Sequence, residues 1–426
     1  MIRELPLSGL VRRAHFVLLV LAFTGVHAGA QSPPRVSEAW FLAGMERKPQ
    51  WLELGNPPDD LFQEPQSGTA APQTKPRWSY GGFVDLGYLL DFNHPSNHLF
   101  RNRGTTPRVD GLDLNMAAIY LTKDASDKSR WGVELEAQVG EDSKSFGFSA
   151  TAPNLAGANW LRQIGKADVS YLLPLGKGLA VQGGIFSSLI GYDSLYAKDN
   201  FTYTRPWGAD YTPYLMLGMN ASYPFTKKLT ATAFVVNGYW HLAHANNVPS
   251  SGGQLAYSAT EHVSIKETIL YGPQQSNPSL EFWRFFSDST AEWKRGRFTT
   301  AFEYQIGTEG VDVTRDPRAL WMFAQLPVHK SLGGPWGVAL RPEVAWDRNA
   351  RWTGFRQLVK AFTTTLEYRK SHKRTSTIAR LEYRFDDSRG PGGGFFRGAE
   401  ISPGIDGLTP SQHLLIFGVI FTFDSH

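Results

Sequence analysis

A histidine and a serine two residues apart on one strand could act as base and nucleophile, and His262-Val263-Ser264 has that spacing. The alternation that puts Val263 and Ile265 on an apolar face turns His262 and Ser264 the other way, so a lipid substrate would meet neither. This weakens the case for an outer-membrane phospholipase. The pairs His241/His244 and His94/His98 sit in loop sequence with no further ligand cluster nearby, which reads as solvated histidine and predicts no metal site. The chain has no cysteine, so thiolate chemistry and disulfides are excluded. Gly390-Pro391-Gly392-Gly393-Gly394 lacks the Lys-Ser/Thr of a phosphate loop and reads as a flexible connection. No cofactor is predicted. What remains is charge placed on one face of successive strands: Asp85, Asp113, Glu134 and Glu136 early, and Arg341, Glu343, Arg380 and Arg384 late. Around a water-filled interior these could set up a transverse field that orients a dipolar solute. Glu343, Glu367 and Glu382 lie among the arginines, and cross-strand ion pairing is the plainer account of them.

Strands must position such groups, and the period-two pattern supplies them. Trp131, Val133, Leu135, Ala137 and Val139 share one face, against Gly132, Glu134, Glu136 and Gln138 on the other. The pattern predicts sixteen strands, at 79–92, 110–122, 131–140, 164–173, 179–187, 212–223, 229–237, 252–258, 262–271, 280–293, 297–307, 319–327, 335–346, 358–369, 375–385 and 412–423. The segments 252–258 and 280–293 alternate least regularly, which leaves fourteen as the alternative count. Short connections alternate with longer ones along the chain, as in a transmembrane antiparallel β-barrel whose two rims differ. Two long connections could fold inward: 141–163, and 188–211 with Tyr192, Asp193, Tyr196, Asp199, Tyr203, Arg205 and Trp207. An external loop over the rim is the equal alternative for the second.

Composition agrees with this all-β reading. There are 42 Gly, 27 Phe, 16 Tyr and 13 Trp, with a mean hydropathy of −0.29. No apolar run long enough for a helical span follows the N-terminal segment. Tyr80, Phe92, Tyr120, Trp131, Tyr171, Tyr223, Trp293, Trp336, Trp346, Tyr368 and Phe385 fall near strand ends on the apolar face, where they predict aromatic girdles. Lys370, Lys373 and Arg374 form a basic turn suited to headgroup phosphates or the periplasm. Arg3, Arg12 and Arg13, the apolar run Phe16 to Val26 and Ala28-Gly29-Ala30 have the order of a secretory signal peptide over 1–30, cleaved near Ala30. Residues 31–77 are proline-rich and read as a periplasmic leader ahead of a barrel over 78–426. The formal charge is +4, and Arg3, Arg12 and Arg13 against Glu4 account for half of it, too weak a bias to suggest nucleic acid as a partner.

Several segments resemble the OmpL-like family of outer-membrane β-barrel porins: Gly82-Phe83-Val84-Asp85 with Tyr88, Asn93, Pro95 and Asn97; Trp131-Gly132 through Gly140-Glu141-Asp142; Leu189-Ile190-Gly191-Tyr192-Asp193; Asp199-Asn200 with Tyr203-Thr204-Arg205; and Asn237-Gly238-Tyr239-Trp240 before Asn246-Asn247. The resemblance covers residues 82 to 250, with the remainder matching by pattern. At Asp210-Tyr211-Thr212-Pro213-Tyr214 the chain departs from the family's Pro-Phe-x-His-Thr-Gly-like stretch. The resemblance implies passive diffusion of small hydrophilic solutes or ions through the bacterial outer membrane. Sixteen strands enclose an aqueous lumen, which favours a pore over an adhesin or structural scaffold. The expected partners are outer-membrane lipid and lipopolysaccharide, the barrel assembly machinery, the solutes themselves and, as an open question, further copies of the chain. The last strand, with Leu415, Phe417, Val419, Phe421 and Phe423 on one face, resembles the aromatic signal which that machinery recognises.

Overall fold

The computed structural model describes residues 78–144, 161–242, 245–311, 318–402 and 405–425. The expected signal peptide and leader, His244 and most of the connection 141–163 lie outside them. Among the described residues the strands are β1 (Trp78–Asp91), β2 (Leu112–Lys123), β3 (Trp131–Val139), β4 (Ile164–Leu173), β5 (Leu179–Ser187), β6 (Leu215–Pro224), β7 (Leu229–Val236), β8 (Ser250–Ser258), β9 (Val263–Pro273) and β10 (Trp283–Arg295). They continue with β11 (Phe298–Gly310), β12 (Arg318–Gln325), β13 (Val328–Gly333), β14 (Trp336–Asp347), β15 (Gln357–His372), β16 (Thr375–Arg389), β17 (Phe395–Ser402), β18 (Ile405–Thr409) and β19 (Ser411–Asp424).

Each wall strand pairs antiparallel with its neighbours, and β1 pairs with both β2 and β19, which closes the sheet. The strands β12 and β13 occupy one position between β11 and β14. Proline has no N–H to give the ladder, and the break falls at Leu326-Pro327, where the carbonyl of Pro327 still accepts from the amide of Ala301 at 3.0 Å. The wall therefore has sixteen positions, as the alternation predicts. The connection expected at 328–334 is in fact mostly strand. The strand expected from 280 begins at Trp283, after a single 3-10 turn, and the one expected from 212 begins at Leu215. The long connection 386–411 carries the hairpin β17–β18, which stands apart from the wall.

The outward face carries the apolar set, with Leu112, Ile119, Phe302 and Phe417 exposed as a bilayer requires. One expected girdle residue is misplaced. A bulge at Asn115 and Met116 shifts the register of β2, so Tyr120 faces inward and its hydroxyl donates to Asp424. The buried apolar core lies inside the barrel. Phe83, Leu89, Met116, Leu414, Ile416 and Ile420 point inward from β1, β2 and β19 and pack against Tyr196, Tyr203 and Trp207 of the connection between β5 and β6. Covering such aliphatic side chains fully stabilises by about 1.5–3 kcal/mol each.

Candidate functional site

The connection 188–214 enters the barrel and touches the wall almost all the way round. The carbonyl of Leu189 accepts from Gln254 on β8 at 2.7 Å and from Thr268 on β9 at 2.8 Å. Next, the amide of Gly191 donates to Asp288 on β10, and that of Tyr192 to Glu303 on β11 at 2.8 Å. The Tyr192 hydroxyl reaches Glu292 at 2.8 Å, and Asp193 accepts from Gln325 on β12 at 2.5 Å. Phe201 stacks on His329 of β13 at 4.5 Å between ring centres.

Arginines then seat the backbone. Arg341 on β14 donates to Thr202 and, at 2.6 Å, to the Thr204 carbonyl. Arg380 on β16 donates to the carbonyls of Ala197 at 2.6 Å and Thr202 at 3.1 Å. Arg384 reaches the Arg205 carbonyl at 3.0 Å. Between them Glu382 accepts from the amides of Tyr203 at 2.5 Å and Thr204 at 3.0 Å and from the Thr204 hydroxyl. The short helix α1 (Trp207–Asp210) follows, its first amide donating to Glu343 at 2.5 Å and the Trp207 indole to Asp386 at 2.8 Å.

The far side of the wall is reached through aromatic hydroxyls. Tyr203 donates to Asp85 on β1 at 2.6 Å and accepts from Asn115 on β2 at 2.7 Å, and Tyr196 donates to Gln138 on β3 at 2.8 Å. The Tyr203 ring lies over Gly87 of β1 and Gly418 of β19, which face each other across the strand pair. A Cβ at either glycine would collide with that ring or its hydroxyl. Arg205 pairs with Asp142 at 2.9 Å, and Asp210 with Arg103 at 2.9 Å.

The residues expected around the lumen fall into two environments. Arg341, Arg380 and Arg384 lie fully covered between wall and segment, with Glu343, Glu367 and Asp386 as ion partners at 3.3, 2.6 and 2.8 Å. Glu134 and Glu136 share Lys166, the latter at 3.5 Å, and Glu134 keeps partial access to solvent. Asp113 is half-buried near the long-loop rim, apart from Asp85 beneath Tyr203. Of the segment's expected residues, Tyr203 and Arg205 meet the wall or Asp142, Tyr192 and Asp193 meet β10 and β12, and Asp199 pairs with Lys198 at 2.7 Å. Outside the strands, His241 is buried in the connection after β7, and burial lowers its imidazole to about 3.

Sequence reasoning missed Glu382, Glu303 and Asp288 as anchors for the segment. One signal could have found the covered wall: β19 is apolar on both faces, with Leu414, Ile416 and Ile420 inward and Leu415, Phe417 and Phe421 outward. A strand that bordered water inside would alternate, so something apolar must cover it.

Among curated proteins none matches the sequence. Solved structures resemble the fold at low identity. The trimer form of OmpT, an outer membrane protein of Vibrio cholerae, is 9% identical over 82% of this chain and 99% of its own, with a TM-score of 0.50. The outer membrane channel DcaP of Acinetobacter baumannii is 10% identical over 83% and 98%, with a TM-score of 0.50. An anion-selective porin from Comamonas acidovorans is 13% identical over 82% and 100%, with a TM-score of 0.49. The model of the family described as "Putative beta-barrel porin-2, OmpL-like" matches residues 78–423, almost the whole barrel, and the chain belongs to that family of outer-membrane porins.

Proposed function

We propose that this chain is a passive channel for small hydrophilic solutes or ions, with the segment 188–214 as its constriction. The observation that carries this reading is a closed wall of sixteen positions with a polar and charged inner face, crossed by a segment held through side chains rather than by further strands. A barrel of that size has room for water even with one connection inside it. Asp113, Glu134 and Lys166 keep access to solvent and are the groups best placed to act on a passing ion. Asp85, Glu136, Arg341, Glu343, Arg380 and Arg384 act on it indirectly, by fixing the segment.

The chain reaches the outer membrane after loss of residues 1–30, leaving 31–77 as a leader on the periplasmic side. Membrane lipid, lipopolysaccharide, the assembly machinery and further copies of the chain are its partners, and no catalytic step is assigned to it. A second reading, a non-conducting scaffold or adhesin, is favoured by the filling of the interior with Trp207, Trp321, Tyr239 and Phe286. Single-channel recording of the folded protein in planar bilayers decides between them. Discrete ohmic steps support the channel, and sealed bilayers containing folded protein support the scaffold.

A further inference from the structure

Hydrogen bonds tie the segment 188–214 to β8–β12, to β14–β16 and to β1–β3. Among the described residues none ties it to β4, β5, β6 or β7. The inward side chains of that arc are short and polar toward the short turns: Ser170 on β4, Gln182 on β5, Asn220 and Ser222 on β6, and Thr232 on β7. Gly184 and Gly218, which pair across β5 and β6, put no side chain inside at all. Phe186 and Met216 turn inward only nearer the long loops. An arc with no anchor and short side chains is where water and solute have room to pass, and Gln182 keeps access to solvent there.

One edge of the arc carries unbalanced charge. Glu134 and Glu136 on β3 and Asp168 on β4 all point inward, and Lys166 pairs with both glutamates but not with the aspartate. Gln182 donates to Oδ1 of Asp168 at 2.8 Å and accepts from Asn220 at 2.9 Å. The other oxygen of Asp168 and Oε1 of Glu136 have no hydrogen-bond partner, although the two residues are only 4% and 7% exposed. Among the described side chains of β3–β8 the one further buried atom in that state is Oε1 of Gln254, again an acceptor. A buried acceptor without a donor is costly, and more so when it is charged. What this edge lacks is a cation with hydrogens to give.

We propose that the wall from β3 to β5 binds the primary ammonium group of a permeating organic cation, with Asp168 and Glu136 accepting from it and Gln182 beside the entrance. An ammonium brings three donors and a positive charge, enough to serve both open oxygens. A carboxylate or phosphate brings acceptors only, and a quaternary ammonium brings charge without a donor. Among the described residues no three carboxylate or histidine groups converge as a bound metal ion would require. The proposal deepens the channel reading and rests on it for the solute's route to the site.

Because the chain has no cysteine, an introduced thiol reports its own position alone. Gln182→Cys in the folded full-length protein is expected to react with a charged, water-soluble thiol reagent. Ala361→Cys is expected not to react, since it faces inward between Glu343 and Asp386, which both bond Trp207 of the segment. Propylammonium is expected to slow the labelling of Gln182→Cys, and propionate and tetramethylammonium are expected to leave it unchanged. In planar bilayers the permeability of propylammonium relative to tetramethylammonium, read from bi-ionic reversal potentials, should fall about three- to tenfold in the double variant Asp168→Asn with Glu136→Gln, the weight of about one net hydrogen bond. Heat-dependent migration checks that the variant barrel is folded. Unlabelled Gln182→Cys, rapid labelling of Ala361→Cys, equal protection by tetramethylammonium, or an unchanged permeability ratio in the double variant would each overturn the proposal. Sealed bilayers would overturn the channel reading instead, because labelling and its protection need no current.

Discussion

Arg205, on the segment that crosses the barrel, and Asp142, just beyond β3, form an ion pair at 2.9 Å in which both side chains are fully covered. Removing one partner strands the other charge in the interior, a loss of about 3–5 kcal/mol. Because neither residue lies within a wall strand and the pair is made by side chains alone, the loss should fall on the segment. Arg205→Ala is expected to keep the folded, heat-modifiable barrel while making residues 188–214 sensitive to protease and raising single-channel conductance. A variant as protease-resistant as the parent would show that the remaining anchors suffice.

Selectivity should divide along solvent access. Neutralising Asp113 and Glu134 together, as Asp113→Asn with Glu134→Gln, is expected to move the reversal potential toward anions, since fixed carboxylates concentrate cations near them. Arg341→Gln, Arg380→Gln and Arg384→Gln act on groups that are covered and bonded to the segment, so they should increase current noise more than they change selectivity. Recordings near 0.1 M salt, where the screening length is about 10 Å, keep the fixed charges visible. A large selectivity change in the arginine set alone would reverse these assignments.

The connection after β7 should respond to acid. His241 is held neutral by burial, with its imidazole lowered to about 3. The unfolded connection would bind a proton near pH 6.5 and the folded one does not, so its stability is full above that pH and falls as pH drops toward 3. Hydrogen-exchange protection factors of residues 237–242, corrected for the pH dependence of the intrinsic exchange rate, are expected to fall between pH 7.5 and 5, and His241→Phe should flatten the response. Equal protection factors at both values in the parent would contradict it.

How far the sequence speaks depends on how far apart the partners lie along it. The run from Trp131 to Val139 shows its strand and both faces without outside help, because period two is a local property. The rims were likewise legible from the order of long and short connections. Tyr120 was misread because the bulge beside Asn115 depends on how β1 and β2 meet. The break at Pro327 was hidden for a related reason: β12 and β13 share one position only because β11 and β14 are long enough to serve both. The path of 188–214 was the least legible part. Its anchors, from Asp85 to Glu382, are brought together only when the wall curves closed.

The glycine pair beneath Tyr203 predicts a steric effect distinct from loss of charge. Gly87→Ala places a methyl group against the Tyr203 hydroxyl and the Asn115 amide. Overpacking of this kind typically costs about 1–3 kcal/mol. Tyr203 is expected to leave Asp85, giving a conductance change like that of Tyr203→Phe, and fluorescence-detected urea unfolding should show the stability loss. Parental conductance in both variants would mean that this contact does not set the channel.

The same contact bears on the order of events during assembly. Anchors on β1 to β3 precede the segment in the chain, and those on β8 to β16 follow it, so the full set exists only after synthesis has passed β16. Tyr203 spans both strands of the junction at which β1 meets β19, and that junction is the last hydrogen-bonded pair that can form. The seat of Tyr203 is therefore complete only once that strand pair has formed, so full seating of the segment cannot run ahead of closure of the wall. In refolding into micelles, Tyr203→Ala should let sealing, seen as the shift in gel mobility, proceed before the segment becomes protected from protease, whereas the parent should gain both together.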